Sequence, residues 1–236
     1  MIPTPAILPT LDDARPPSIT DQVYEALYDR VVNLTLPPGA RLSEAEVAAQ
    51  MGVSRQPVRD AFYRLSQMGF VLIRPQRATT VTPISEQAVL QAYFIRAALE
   101  ESCMRVAAAR LTDDHLKALA VLLDLQAHEI AAGNRAGFHA LDDQFHHDIC
   151  AQAGLDFVWT LVKDNKGHMD RARYLSLSYG ADTAFKEHRE ILGALRRRDA
   201  PAAVLAIRQH LSRIEANYEN GALALRVPRQ IGRASC

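Results

Sequence analysis

Residues 53–59 read Val-Ser-Arg-Gln-Pro-Val-Arg, and the chain on either side of them decides the fold. Gly52-Val53 is a tight-turn signal, and Ser54 is a residue type that opens helices. The helix that follows carries Val58, Ala61, Phe62 and Leu65 inward and stops at Gly69. Arg55 and Arg59 are four residues apart and share a helix face. Upstream, Ser43 and Glu46 form a capping box for a short helix ending near Met51. Further upstream, Ile19, Val23, Leu27, Val31 and Leu34 repeat at helical spacing. They predict a helix over about 18–34, ended by Leu36-Pro-Pro-Gly39. Downstream, residues 70–74 and 79–82 read as short strands, with Pro75–Ala78 as a hairpin tip.

Helix, short helix, tight turn, helix and hairpin is the order of a winged helix-turn-helix. A helix fits the DNA major groove, and its first residues reach base edges. Arg55 and Arg59 suit guanine, Gln56 suits adenine, and Ser54 can serve a phosphate while capping the helix. Arg77, at the hairpin tip, can touch the minor groove or the backbone. Pattern alone leaves a small helical domain with a solvated basic face as the alternative.

Bulk properties neither oppose nor advertise this reading. The 236 residues carry 27 Lys plus Arg against 27 Asp plus Glu, so DNA affinity must come from a local surface. Between Arg55 and Arg77, Arg55, Arg59, Arg64, Arg74 and Arg77 face one acid, Asp60. The apolar fraction of 48% suits a globular chain, and no apolar run approaches a membrane span. Cys103, Cys150 and Cys236 are scattered without a CxxC, which fits a reducing cytoplasm with Cys103 and Cys150 in the core. Residues 1–17, with five prolines and no secretion-signal pattern, read as a flexible arm, and residues 221–236 as a tail.

Composition changes near Pro83, after which alanine- and leucine-rich helical patterns dominate. Six helices are expected, over about 85–110, 112–132, 134–153, 156–178, 182–198 and 200–219. The fold class is therefore mainly α. A winged helix-turn-helix (18–83) precedes an all-α six-helix bundle (84–220). Phe157 and Trp159 read as core residues, and His128, His139, His147 and His168 as surface residues.

In the second half, Asp142 and His146 are four apart on one helix face, and His188 and His210 each lie on another helix. Helices of a bundle can aim one carboxylate and three imidazoles into a shared cavity. Such donors suit zinc, nickel or manganese. With eight histidines in the chain, chance placement is the alternative. Arg96 can pair with an effector carboxylate or, four residues along, with Glu100. Arg171 and Arg173 are candidates of the same kind.

The stretch 38–82, with its core Val53-Ser54-Arg55-x-Pro57-Val58-Arg59, resembles the winged helix of the GntR family of regulators. The resemblance implies DNA contact by Arg41, Ser54, Arg55, Gln56, Pro57, Arg59 and Arg77. Gln56 stands where Thr is usual, Asp60 for Glu, Ala78 for a wing glycine, and Ala45 where some relatives carry a base-contacting Arg. These departures bear on operator sequence. Residues 84–220 resemble the FCD ligand-binding domain of the FadR subfamily, through Tyr93–Glu100, Asp142-x-x-Phe145-His146, Glu187–Ile191 and His210-Leu211. That resemblance implies a divalent ion on Asp142, His146, His188 and His210, and a small organic-acid effector. The whole implies a homodimeric repressor on a pseudo-palindromic operator. Two rivals stay open: the ion itself is the signal, or the metal site is that of a hydrolase.

Overall fold

A computed structural model describes residues 17–74, 77–176 and 180–219. Its contacts divide into two units: the chain up to Val31 with Gly39–Thr82, and Val32–Pro38 with the chain from Pro83 onward.

In the first unit, α1 (Ile19–Val32) buries Val23, Leu27 and Val31, while Ile19, at the end of the expected stripe, is exposed. The helix ends before Leu34, which adopts a left-handed φ of 64°. Ser43 opens α2 (Glu44–Met51) by accepting the Glu46 N–H. Gly52, at φ 66°, closes it by donating back to the Ala48 and Ala49 carbonyls, a turn few side chains tolerate. The next helix, α3 (Arg55–Gln67), buries Val58, Ala61, Phe62 and Leu65 as its spacing predicts. Ser54 stands at its N-cap, but its hydroxyl makes no cap hydrogen bond, a correction to the expected capping role.

The sheet has a strand that the sequence pattern does not reveal. Arg41–Leu42 (β1) pairs antiparallel with Thr79–Val81 (β3), which also pairs with Val71–Leu72 (β2). A two-residue strand is too short for alternation to register. Of the hairpin tip, Pro75 and Gln76 lie outside the described residues.

The second unit contains α4 (Glu86–Arg110), α5 (Asp113–Ala131), α6 (Arg135–Gln152), α7 (Asp156–Asn165), α8 (Gly167–Ser176), α9 (Ala181–Arg196) and α10 (Ala200–Glu219). The one helix expected over 156–178 is two, interrupted at Lys166. Gly167, a weak helix former, follows the break. The Lys166 ammonium turns inward to Asp143 (2.6 Å) and Asp170 (2.5 Å). Thr112 caps α5 in a true capping box with His115. Gly133 and Gly154, both at positive φ, follow the ends of α5 and α6.

The long helix α4 is the central element, packing on α6, α7, α8, α9 and α10. Its Met104 and Ala107 join Phe145, Ile149, Ile191, Leu195, Ile207 and Leu211 in one apolar core. Cys103 and Cys150 are buried thiols beside Val158 and Val162; Cys236 lies outside the described residues. Trp159 packs on that cluster, but Phe157 is exposed, contrary to expectation. No helix among the described residues is long and apolar enough to cross a membrane.

Candidate functional site

The first unit presents its polar groups on the N-terminal half of α3. Ser54, Arg55, Gln56 and Arg59 are exposed, and Pro57 is half-buried in the first helical turn. That turn contains no acid, so the positive end of the helix is left for an anion. Arg55 has no ion-pair partner among the described residues. Gln56 donates to Asp60 at 2.8 Å, and Arg59 grips Glu44 of α2 through Nε and Nη2 at 3.0–3.3 Å. Both contacts are solvent-exposed and open to exchange. Arg41 and Arg77 are exposed on β1 and beside the hairpin tip. Arg64 does not join this surface. It pairs with Asp21 at 2.7 Å and lies over the Tyr24 ring at 3.9 Å, tying α3 to α1.

In the second unit Asp142, His146, His188 and His210 converge from α6, α9 and α10. All four are buried, and one donor atom from each lies within 4.8 Å of the others. His146 Nε2 and His188 Nε2 each approach His210 Nε2 at 3.3 Å, and His188 Nε2 lies 3.4 Å from Asp142 Oδ1.

The hydrogen bonds behind the rings assign their tautomers. His146 Nδ1 meets Glu100 Oε2 at 2.6 Å, His188 Nδ1 meets Gln126 Oε1 at 2.9 Å, and His210 Nδ1 meets Glu187 Oε2 at 3.0 Å. Each partner is an acceptor, so each Nδ1 carries the proton. The Gln126 assignment is unambiguous, because its amide nitrogen donates to the Leu141 carbonyl at 3.0 Å. In a neutral ring so bonded, Nε2 carries the lone pair, and these nitrogens lie on the side facing the other donors. Asp142 Oδ1, which faces them, has no hydrogen-bond partner among the described residues. Lone pairs opposed at such distances repel, and a cation at their focus removes the repulsion. Three imidazole nitrogens, one carboxylate oxygen and an acceptor behind each ring fit a divalent ion.

The electrostatics agree. Burial, then the neighbouring His188 and His146, hold His210 well below the usual imidazole range; burial lowers His188 too. Burial works against the Asp142 anion, yet the Arg173 guanidinium holds its carboxyl well below the usual range. Neutral imidazoles and an ionised carboxylate are the forms that bind metal.

Arg96 makes the expected pair with Glu100, four residues along. Its Nε donates to Glu100 Oε1 at 2.5 Å, while Nη1 and Nη2, also buried, have no hydrogen-bond partner among the described residues. Arg173 is committed to Asp142 Oδ2 at 2.6 Å, with Asp170 Oδ1 at 3.4 Å. Arg171 is fully buried. His139, expected at the surface, is buried and stacks on Tyr174 with centroids 4.5 Å apart. The residues that sequence reasoning missed are Glu100 in its contact with His146, Gln126 and Glu187. Glu187 stands next to His188 in the chain but serves His210, a pairing no local spacing signals.

Profiles of two families match the chain: bacterial regulatory proteins of the gntR family over residues 19–81, and the FCD domain over residues 91–213. The chain belongs to the GntR family of bacterial regulatory proteins. Its GntR-type helix-turn-helix followed by an FCD domain is the FadR-like arrangement. Among its relatives, the HTH-type transcriptional repressor RspR of Escherichia coli K12 is 35% identical over 83% of this chain and 87% of its own. The HTH-type transcriptional regulator YdfH of E. coli O6:H1 is 36% identical over 84% and 88%. In fold, E. coli McbR/YncC superposes with a TM-score of 0.72 at 23% identity, covering 86% of this chain and 98% of its own. A GntR regulator from Rhodococcus sp. RHA1 gives 0.69 at 24%, covering 85% and 97%. RspR and YdfH carry names of transcription regulators, which disfavours the hydrolase reading of the metal-type cluster.

Proposed function

We propose that this GntR-family regulator is a cytoplasmic, homodimeric repressor whose operator binding is controlled by a small organic acid bound at a metal centre. Residues 18–83 serve DNA and residues 84–220 sense the ligand. Arg55, Gln56 and Arg59 read bases from α3. Arg41, Ser54 and Arg77 serve the backbone, and Pro57 pre-sets the first turn of the helix. Asp142, His146, His188 and His210 hold the ion, with zinc or nickel favoured by the nitrogen-rich set and manganese an alternative.

One observation carries the sensor reading. Three imidazole nitrogens and an unpaired carboxylate oxygen lie together, while the Arg96 Nη1 and Nη2 groups nearby are buried and unsatisfied. The first feature calls for a cation. The second calls for an anion, since guanidinium matches carboxylate geometry. It also favours an organic acid over the ion alone as the signal. An ion held by Asp142, His146, His188 and His210 would supply positive charge to draw the carboxylate of the acid. Arg173 holds Asp142 in its coordinating orientation, and Arg171 supports the anion's positive surroundings. An acid that prefers one state of the dimer shifts its operator affinity by that preference.

The test is operator binding followed by fluorescence anisotropy, with zinc-loaded and chelator-treated protein, across a panel of organic acids. An acid that weakens DNA binding only when metal is present supports the reading. Affinity that follows the metal alone, with no acid effective, overturns it in favour of a metal sensor.

A further inference from the structure

We infer that residues 222–227 of this chain, Ala-Leu-Ala-Leu-Arg-Val, turn back after α10 and cover a groove on the exposed face of α4.

Glu86, Gln87, Leu90, Gln91, Phe94 and Ile95 line this groove, whose volume is about 820 Å³. All six belong to α4, so the groove lies within the second unit. None of them belongs to the metal-type cluster. Phe94 is 73% exposed, more than any other large apolar side chain among the described residues. A lone exposed apolar residue needs no explanation, but one set beside Leu90 and Ile95 in a groove gains by being covered.

Helix α10 delivers the covering segment. It packs along α4, and two contacts fix its direction. Arg105 of α4 lies beside Pro201, Val204 and Leu205. Glu101, one turn earlier on α4, accepts from Arg208, one turn later on α10, at 2.8 and 2.7 Å. The two helices are therefore antiparallel. Glu219, the last residue of α10, is 11 positions past Arg208, about 16 Å at the rise of a helix. The same distance back from Glu101 along α4 reaches Leu90, inside the groove. The chain thus leaves α10 level with the residues that gain by cover.

The sequence beyond that point has the chemistry for it. Asn220-Gly221 is a helix-stop and chain-reversal pair, because glycine enters the left-handed region without strain. Leu223, Leu225 and Val227 then alternate, and an extended segment turns all three to one side. From Glu86 to Ile95 the groove runs about 14 Å along the helix. Residues 222–227, extended, span about 17 Å, which matches. Charge agrees as well. Residues 221–236 carry Arg226, Arg229 and Arg233 and no acid, while Glu86 stands exposed at one end of the groove.

The experiment is limited trypsin digestion of the full chain, with cleavage after Arg226 and after Arg233 followed by mass spectrometry. Arg233 lies beyond the covering segment and serves as the internal standard. Phe94→Ser, at an exposed position, is expected to raise the ratio of Arg226 to Arg233 cleavage at least about tenfold, since burying a phenylalanine side chain is worth one or two powers of ten in an equilibrium. Val121→Ser, at an exposed apolar position on α5, is expected to leave the ratio unchanged. A ratio unmoved by Phe94→Ser overturns the inference, as does one moved equally by Val121→Ser. A ratio that rises when the unmodified protein is diluted about tenfold also overturns it, and assigns the groove to a second copy of the chain.

Discussion

Glu100 Oε2 lies 2.6 Å from His146 Nδ1, joining α4 to α6 behind the metal-type cluster. The other oxygen of the same carboxylate accepts from Arg96. Burial works to raise the Glu100 carboxyl, but Arg96 and His146 bring it down to about 2, so it is an anion throughout the physiological range. One buried charge thereby holds the His146 ring and the Arg96 guanidinium together. Glu100→Gln should weaken zinc binding by about 10–100-fold, the usual effect of losing a group that orients a ligand histidine. Competition with a chromophoric chelator measures this, and unchanged affinity would remove Glu100 from that role.

The exposed face of α3 makes a second prediction. Arg55→Ala should lower operator affinity by about 5–150-fold if the guanidinium reads a base. Arg64→Met should leave it unchanged, because that side chain is engaged with Asp21 and Tyr24. Glu44→Gln frees Arg59 and should leave DNA binding equal or tighter, with no change in Tm. Loss of binding in Glu44→Gln would mean that Glu44 aims Arg59 instead of restraining it.

Packing around the cluster yields a third. Phe145 is fully buried and stacks on His188 with centroids 4.8 Å apart. Phe145→Ala should cost about 3–5 kcal/mol of stability and loosen the His188 ring. Urea unfolding measures the first effect and zinc titration the second. A stability loss of under about 1 kcal/mol would show that the core closes over the gap.

Acid sensitivity gives a fourth. Burial favours the protonated Asp170 carboxyl, but Lys166 and Arg173 outweigh it and bring the group down to about 2. Its folded value lies below its unfolded value of about 4. The contribution is therefore fully present above that unfolded value and is lost as pH falls through about 2. Asp170→Asn should flatten the decline in stability between those limits, as followed by circular dichroism. An unaltered acid limb would place the sensitivity elsewhere.

Much of the fold was legible because local rules and tertiary demands agree. In α3, the spacing of Val58, Ala61, Phe62 and Leu65 and the turn at Gly52 need no distant partner to be read. The break at Lys166 was not legible, because its ammonium bonds to Asp143 on another helix. The donors Asp142 and His146 lie one turn apart on α6, and such pairs stand out in a sequence. The acceptors behind the imidazoles do not. Glu100 lies 46 positions from His146, and Gln126 lies 62 from His188. Only the packing of α4 on α6 and of α5 on α9 brings them together.

Of the three groups that hold the imidazoles from behind, Gln126 alone is uncharged. A carboxylate lends electron density to the ring it grips, and an amide lends far less. His188 is thus the poorest electron donor of the trio. If an ion is held there, His188 would be the weakest of its three imidazole donors, so His188→Ala should cost less zinc affinity than His146→Ala in a chelator competition.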